Sequence, residues 1–296
     1  MTRLTRIFFA CALLMGAGLV SAQQQDFSKV EIQAQKVNGN VYMLTGAGGN
    51  IGVSAGPDGV LIVDDQFAPL AEKIRAALKG INSGKLKFIL NTHFHGDHTG
   101  GNKEFGPEAP IIAQTNVRKR LSTDQMRGGQ TTPAAPKEAW PVITFDQSVS
   151  VHFNGEEIKA LHFPHGHTDG DSVIFFTGSN VVHMGDDFFS GRFPFVDLDS
   201  GGDVDGLVKN VGEIIARIPP DAAIIPGHGP VSKLDDLKAY HRMLVETTGI
   251  VRKKMAAGKS LAMIKSEGFG EEWKSWGAGF VTADRWIETI HRSYFK

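Results

Sequence analysis

The chain has 296 residues, 41% of them hydrophobic and 21% charged, the proportions of a protein that buries a sizeable core. Lysine plus arginine (31) almost balance aspartate plus glutamate (32), leaving a formal charge of −1; with no basic surplus, a surface that tracks nucleic-acid phosphates is not expected. The single cysteine, Cys11, falls in the N-terminal apolar run, so the chain beyond that run offers neither a disulfide nor a thiolate ligand.

Arg3 and Arg6 precede an apolar stretch over residues 7–20, and Val20-Ser21-Ala22 is a small-residue cleavage site. This is the pattern of a secretory signal peptide over residues 1–22, with a periplasmic or secreted mature chain and no membrane anchor after cleavage. The apolar stretch is shorter than the ~20 residues a membrane span requires. Residues 23–296 are read as one domain with helices at its C-terminal end.

Residues 23–35 are polar and read as a loose lead-in, followed by strands over 37–45 and 50–54 with the glycines of 46–49 between them. Residues 59–65 form a buried strand ending in Asp64 and Asp65. Asp64 stays open between two roles, a partner accepting the outer N–H of a ligand histidine and a solvated or helix-capping carboxylate. Leu70, Ile74 and Leu78 give residues 68–78 helical spacing, and residues 87–90 read as a short buried strand.

That strand runs into Asn91-Thr92-His93-Phe94-His95-Gly96-Asp97-His98-Thr99-Gly100-Gly101, where three imidazoles and a carboxylate fall within six residues. Neutral imidazole nitrogens and ionised carboxylates are ligands suited to zinc and similar divalent ions. Extended geometry would place His93, His95 and Asp97 on one face and turn His98 away, towards a second ion. Surface histidines on a polar loop are the plainer reading, against which the density of the cluster argues. The run resembles the His-x-His-x-Asp-His signature of the metallo-β-lactamase superfamily, which includes β-lactamases, glyoxalase II thioesterases, lactonases and nucleases.

Farther on, residues 110–114 read as a strand and 115–121 as a short helix, followed by a long irregular segment over 122–141. Its Met126 and Trp140 either line a pocket mouth or pack in a core. Residues 148–153 and 157–163 make a hairpin about Asn154-Gly155, opening a second round of strands. Two such rounds meeting at one edge are what an α/β fold, a four-layer αββα metallo-β-lactamase sandwich, would show. In Pro164-His165-Gly166-His167-Thr168, the resemblance implies His167 as the third histidine ligand, with His165 its competitor and His162 structural. Strands over 172–177 and 180–184 lead to Gly185-Asp186-Asp187, where the resemblance implies Asp186 as a bridging carboxylate and Asp187 as a hydrogen-bonding neighbour. His183, inside the strand, reads as a satisfied core histidine. Residues 188–202, rich in phenylalanine and glycine, are either a substrate wall or a plain surface loop. A helix over 204–217 and a strand over 222–225 precede Pro226-Gly227-His228, the last implied ligand. Helices over 234–255 and 283–294 would cover the outer face, with Trp273 and Trp276 as packing residues and Arg252-Lys253-Lys254 as a solvated face.

The resemblance implies one metal held by His93, His95 and His167, a second by Asp97, His98 and His228, and Asp186 between them. The implied cofactors are two divalent ions, zinc first, with iron or manganese compatible with an all-histidine and carboxylate set. The implied activity is an exported hydrolase in which water activated by the metals, oriented by Asp97, attacks the carbonyl of a small-molecule lactam, lactone, ester or thioester. Familiar β-lactamases carry cysteine or serine where Asp186 falls, a departure that draws the expectation towards a thioesterase or lactonase. A metal-binding protein without turnover is the alternative class. An iron-based redox protein would share part of the ligand pattern but would need a flavin domain that this sequence does not suggest.

Overall fold

The structure, a computed structural model, describes residues 26–127 and 129–295; the expected signal peptide and Cys11 lie outside them. In the first half, β1 (Gln33–Asn38), β2 (Val41–Thr45), β3 (Ile51–Gly56) and β4 (Gly59–Val63) form an antiparallel meander. Helix α1 (Ala71–Ile81) then crosses over to β5 (Leu86–Leu90), which is parallel to β4. One-turn helices α2 (Gly96–Thr99) and α3 (Asn102–Phe105) lead to β6 (Ile111–Gln114), followed by α4 (Thr115–Leu121) and a separate small hairpin of β7 (Gln125–Arg127) and β8 (Gln130–Thr132). Strand β9 (Ile143–Phe145) completes a seven-stranded sheet of order β1-β2-β3-β4-β5-β6-β9.

The second sheet contains β10 (Ser148–Phe153), β11 (Glu156–His162), β12 (Ser172–Phe176), β13 (Val181–His183) and β14 (Ala223–Ile225), in that order. Helix α5 (Val204–Ile215) links its one parallel pair, β13 and β14, and α6 (Leu234–Ala256), α7 (Leu261–Glu267) and α8 (Ala283–Tyr294) follow.

Side-chain alternation makes the layers. In the fully buried β4, Leu61 and Val63 point between the sheets while Val60 and Ile62 point to α1. In β14, Ile225 joins the inter-sheet core and Ile224 packs towards the helices. The inter-sheet core interleaves Met43, Leu61 and Leu90 of the first sheet with Ile158, Ile174 and Phe176 of the second. Outside the first sheet, Leu70, Ile74 and Leu78 recur at four-residue spacing and close over Ile51, Val53 and Ile89. Val204, Leu207, Val211 and Ile214 of α5, with Leu237, Leu244 and Trp286, cover the second sheet. Full burial of each such side chain contributes roughly 1.5–3 kcal/mol, and the result is the expected four-layer α/β sandwich.

Four sequence expectations are corrected. Residues 37–45 are not one strand: the two-residue link between Asn38 and Val41, with Gly39 at φ 50°, reverses the chain and pairs β1 with β2. Residues 33–35, expected in the lead-in, begin the polar, exposed β1, an edge strand that needs no apolar face. The 122–141 segment is not structureless but carries the β7–β8 hairpin, and β9 follows it. Finally, the motif is not extended throughout. His95 is the last extended residue (φ −63°, ψ 147°) and Gly96–Thr99 is a helical turn, which sends Asp97 away from His93 and His95 and towards His98's group.

Candidate metal centre

The site is assembled at one edge of the sandwich by residues that follow strand ends. Asp64 follows β4, His93 and His95 follow β5, and Asp97 and His98 lie on the helical turn just beyond. His167 follows β11, Asp186 follows β13, and His228 follows β14. All seven expected positions come together, in two groups: His93, His95, His167 and Asp186, and Asp97, His98 and His228. His95 Nδ1 lies 3.1 Å from His93 Nε2 and 2.8 Å from His167 Nε2. The Asp186 carboxylate stands between the groups: Oδ2 is 3.4 Å from His167 Nε2 and 3.8 Å from His93 Nε2, while Oδ1 is 3.0 Å from His98 Nε2 and 3.4 Å from His228 Nε2. Asp97 Oδ2 closes the second group 3.3 Å from His228 Nε2.

Close backbone approach makes this possible. A Cβ at Gly49 would fall on the His98 ring, and one at Gly227 on Asp186 Oδ1.

Four rings are oriented by acceptors on their outer side. His98 Nδ1 donates to Asp64 Oδ2 (2.7 Å), and His95 Nε2 donates to Asp197 Oδ2 (2.8 Å). His167 Nδ1 donates to the Phe195 carbonyl (2.7 Å), and His93 Nδ1 to Thr92 Oγ1 (3.1 Å), whose own hydrogen goes to Asp64 Oδ2. With the proton on the outer nitrogen, each neutral ring aims a lone pair inward. Lone pairs at 2.8–3.1 Å repel one another unless a cation lies among them. His98 Nε2 and Asp186 Oδ1, both buried, have no hydrogen-bond partner. With His98 neutral this contact sets acceptor against acceptor at 3.0 Å, and either a metal ion or a proton on His98 relieves it; together with the three lone pairs of His93, His95 and His167, the donor set fits the metals expected of it.

Electrostatics separates the two groups. Burial, reinforced by the neighbouring histidines, pushes His93 well below the usual imidazole range, and burial lowers His167 to about 4. His98 is driven down by burial, yet the Asp186, Asp97 and Asp64 carboxylates overcome this and hold it well above its ordinary value. His228 likewise resists burial and rises to about 9 beside Asp186 and Asp97. Burial opposes ionisation of Asp186 and Asp97, but the surrounding imidazoles hold Asp186 well below the carboxylate range and Asp97 at about 2. Without metal, protons on His98 and His228 therefore supply the positive charge that the carboxylates demand.

Asp64 takes the first of its two expected roles, and Asp197 is a partner of the same kind that sequence reasoning missed. It sits in an aromatic loop 102 positions from His95, with no motif around it. His183 is a satisfied core histidine, with Nε2 3.0 Å from the Asn50 carbonyl. His165 is turned outward at φ 55°, 3.1 Å from the Gly201 carbonyl, and His162 Nδ1 donates to the Asp171 carbonyl at 2.8 Å. Asp187 is corrected. The turn at Gly185 (φ 51°) buries it behind the site, where neither oxygen accepts a hydrogen bond and burial raises it to about 8. Trp140 packs with Ala113, Val117 and Leu121, whereas the exposed Met126 lines a smaller pocket beside His95. The main cavity, about 780 Å³, opens over His95, Asp97, Asp186 and His228 and is walled by Phe67, Phe189, Phe193, Phe195 and Phe280. The aromatic loop is thus a pocket wall.

Known proteins share this fold. A crystal structure of the DIM-1 metallo-beta-lactamase superposes with a TM-score of 0.60 at 19% identity, over 73% of this chain and 99% of that one. A double mutant of the sec-alkyl sulfatase PisA1 gives a TM-score of 0.69 at 13% identity, over 90% of this chain and 50% of that one. At these identities the likeness is one of fold alone. The hydroxyacylglutathione hydrolase of Polaromonas sp. (strain JS666 / ATCC BAA-500) is 30% identical over 162 residues, 54% of this chain and 55% of the relative. The chain thus spans about half the length of that curated relative. The model of the metallo-beta-lactamase superfamily matches residues 35–249, the stretch that carries every residue of the site, and the chain therefore belongs to that metallo-hydrolase superfamily.

Proposed function

We propose that this chain is a dinuclear metal-dependent hydrolase acting on the carbonyl of an ester, thioester or lactone, with β-lactams as a further class to be tested. One observation carries the reading: a single buried carboxylate, Asp186, presents one oxygen to each of two groups of inward-facing donors. His93, His95 and His167 would hold one ion, Asp97, His98 and His228 the other, with zinc the first expectation for such a set. When bound, a pair of divalent ions acidifies water towards pKa ~7 and polarises a carbonyl oxygen. Asp97 and His228 are the most exposed members, with side chains 31% and 22% accessible, so substrate approaches on their side. The Asp97 carboxylate, held at about 2 by the neighbouring imidazoles, stays ionised at neutral pH and would orient the attacking water by accepting its hydrogen bond. Phe189 lies parallel to the His228 ring at 5.1 Å, limiting its rotation and excluding solvent from that side.

Asp186 and the likeness to the Polaromonas hydroxyacylglutathione hydrolase both favour thioesters and esters over β-lactams. A carboxylate bridge donates charge to both ions and leaves them less electrophilic, which suits substrates whose leaving group departs readily. Export also belongs to this proposal and rests on the pattern of residues 1–22.

The test is a panel of acyl thioester, aryl lactone and chromogenic cephalosporin at equal concentration, with zinc supplied. Turnover of the thioester or lactone that falls at least 100-fold in Asp97→Ala and in His228→Ala supports the reading; turnover that survives both changes together overturns it. Mass spectrometry of the processed chain tests export, with Gln23 as the expected first residue.

A further inference from the structure

Two arginines at the main cavity are unused by the chemistry above. Among the described residues, Arg192, from the aromatic loop, and Arg285, from the first turn of α8, are the only arginine or lysine side chains lining it. Neither has a carboxylate partner among the described residues; Arg118, Arg217 and Arg252 also lack one there, but they lie over aromatic rings away from this cavity, whereas Arg75, Arg120, Arg242 and Arg292 are each paired. Arg192 and Arg285 lie against two consecutive residues, Gly279 and Phe280. The stem of Arg192 lies against Gly279, where a Cβ would stand 3.1 Å from its Cδ. Arg285 lies over the Phe280 ring at 4.4 Å and donates through Nη1 to the Phe280 carbonyl at 3.1 Å. Stacking and one backbone bond fix the guanidinium plane and leave its remaining donors for a ligand.

Arg285, Phe280 and Val281 come from the part of the chain beyond the family match, which ends at residue 249. Phe67, Phe189, Phe193 and Phe195 form the apolar part of the remaining wall. A cavity walled by phenylalanines, with two arginines unpaired by carboxylates among the described residues, is complementary to an amphipathic anion. Resting on the hydrolase reading, we propose that Arg192 and Arg285 select substrates that join an apolar acyl body to one carboxylate, held remote from the scissile carbonyl. The carboxylate binds at the Gly279–Phe280 corner, and the phenylalanines take the carbon chain.

The test uses two chromogenic esters of matched length, mono-4-nitrophenyl glutarate and 4-nitrophenyl valerate, with the zinc-loaded full chain. The wild type should favour the glutarate in kcat/KM. Arg192→Gln and Arg285→Gln should each raise its KM about tenfold, leaving kcat and the valerate reaction within twofold, as expected for loss of one charge-assisted hydrogen bond. Equal losses on both esters, or no change on either, would overturn the assignment. A second readout does not depend on turnover: calorimetric binding of 4-phenylbutyrate against 4-phenylbutyramide. The acid should bind more tightly, with the advantage lost in the double variant; an advantage that persists would place the carboxylate elsewhere. Absence of hydrolysis of either ester, with arginine-dependent binding intact, would remove the hydrolase reading and keep the anion site.

Discussion

Replacing Asp64 by asparagine should detach one metal and spare the other. Asp64 Oδ1 accepts from the Thr92 backbone N–H at 2.8 Å; Oδ2 accepts from Thr92 Oγ1 and His98 Nδ1, each at 2.7 Å. The residue sits at φ 65°, a left-handed conformation that asparagine tolerates as well as aspartate, so Asp64→Asn adds no backbone strain. The Thr92 N–H requires an oxygen at the Oδ1 position, which puts the new amide N–H₂ where Oδ2 was. An N–H₂ facing His98 Nδ1 forces the ring proton onto Nε2, the nitrogen aimed at Asp186 Oδ1 from 3.0 Å. Thr92 Oγ1, with two lone pairs, still accepts from His93, so the first group is untouched. Loss of such an outer partner weakens metal binding by roughly 10–100-fold, or about 1.4–2.7 kcal/mol. Titrating metal-free protein against a chromophoric chelator should resolve two dissociation constants in the wild type and shift only that of the second site in Asp64→Asn. Two unshifted constants, or equal shifts in both, would refute the tautomer argument.

The mirror-image change, Asp197→Ala, removes the acceptor of His95 Nε2 and should weaken the first site by roughly 10–100-fold while sparing the second, read in the same titration. In the metal-free protein His167 and His228 make opposite contributions to stability on either side of pH 6.5, the ordinary imidazole value, over the background loss that Asp187, raised to about 8, adds as pH rises from about 4. His167, lowered to about 4, stays neutral in the fold, so stability falls as pH drops from 6.5 towards 4 and the unfolded chain takes up the proton. His228, raised to about 9, gives stability that is complete below 6.5 and lost as pH rises through 9. Each limb amounts to roughly 3 kcal/mol. Zinc should abolish the His228 limb by replacing the proton, and urea midpoints between pH 4.5 and 9 that do not depend on metal would contradict this. In the inter-sheet core, Leu61→Ala should cost about 2–5 kcal/mol without changing metal stoichiometry, measured by the same midpoints at pH 7.

What could be read from residues alone divides along physical lines. Buried strands such as β4 and β14, and helices with a clear apolar stripe such as α1 and α5, announce themselves because burial selects their pattern. The exposed β1 and the short β7, β8 and β9 do not, since the pairing that defines them is long-range or carried by the backbone. The dense run from His93 to His98 stands out from its own spacing. His167, Asp186 and His228 needed the family pattern, because only the fold brings them near it. Asp197 had no signal at all, being one carboxylate in a loop. The extended reading of Asp97 failed because a single helical turn, too short for any periodicity, rotates it by one group. The C-terminal wall of Phe280 and Arg285 was equally illegible, since it exists only where α8 folds back over the aromatic loop.

Anomalous diffraction at the zinc edge from crystals of the metal-loaded protein tests the central claim most directly. Two peaks are predicted, one among His93, His95 and His167 and one among Asp97, His98 and His228, each in contact with its own oxygen of Asp186. A single peak, or two peaks with Asp186 turned away from either, would contradict it.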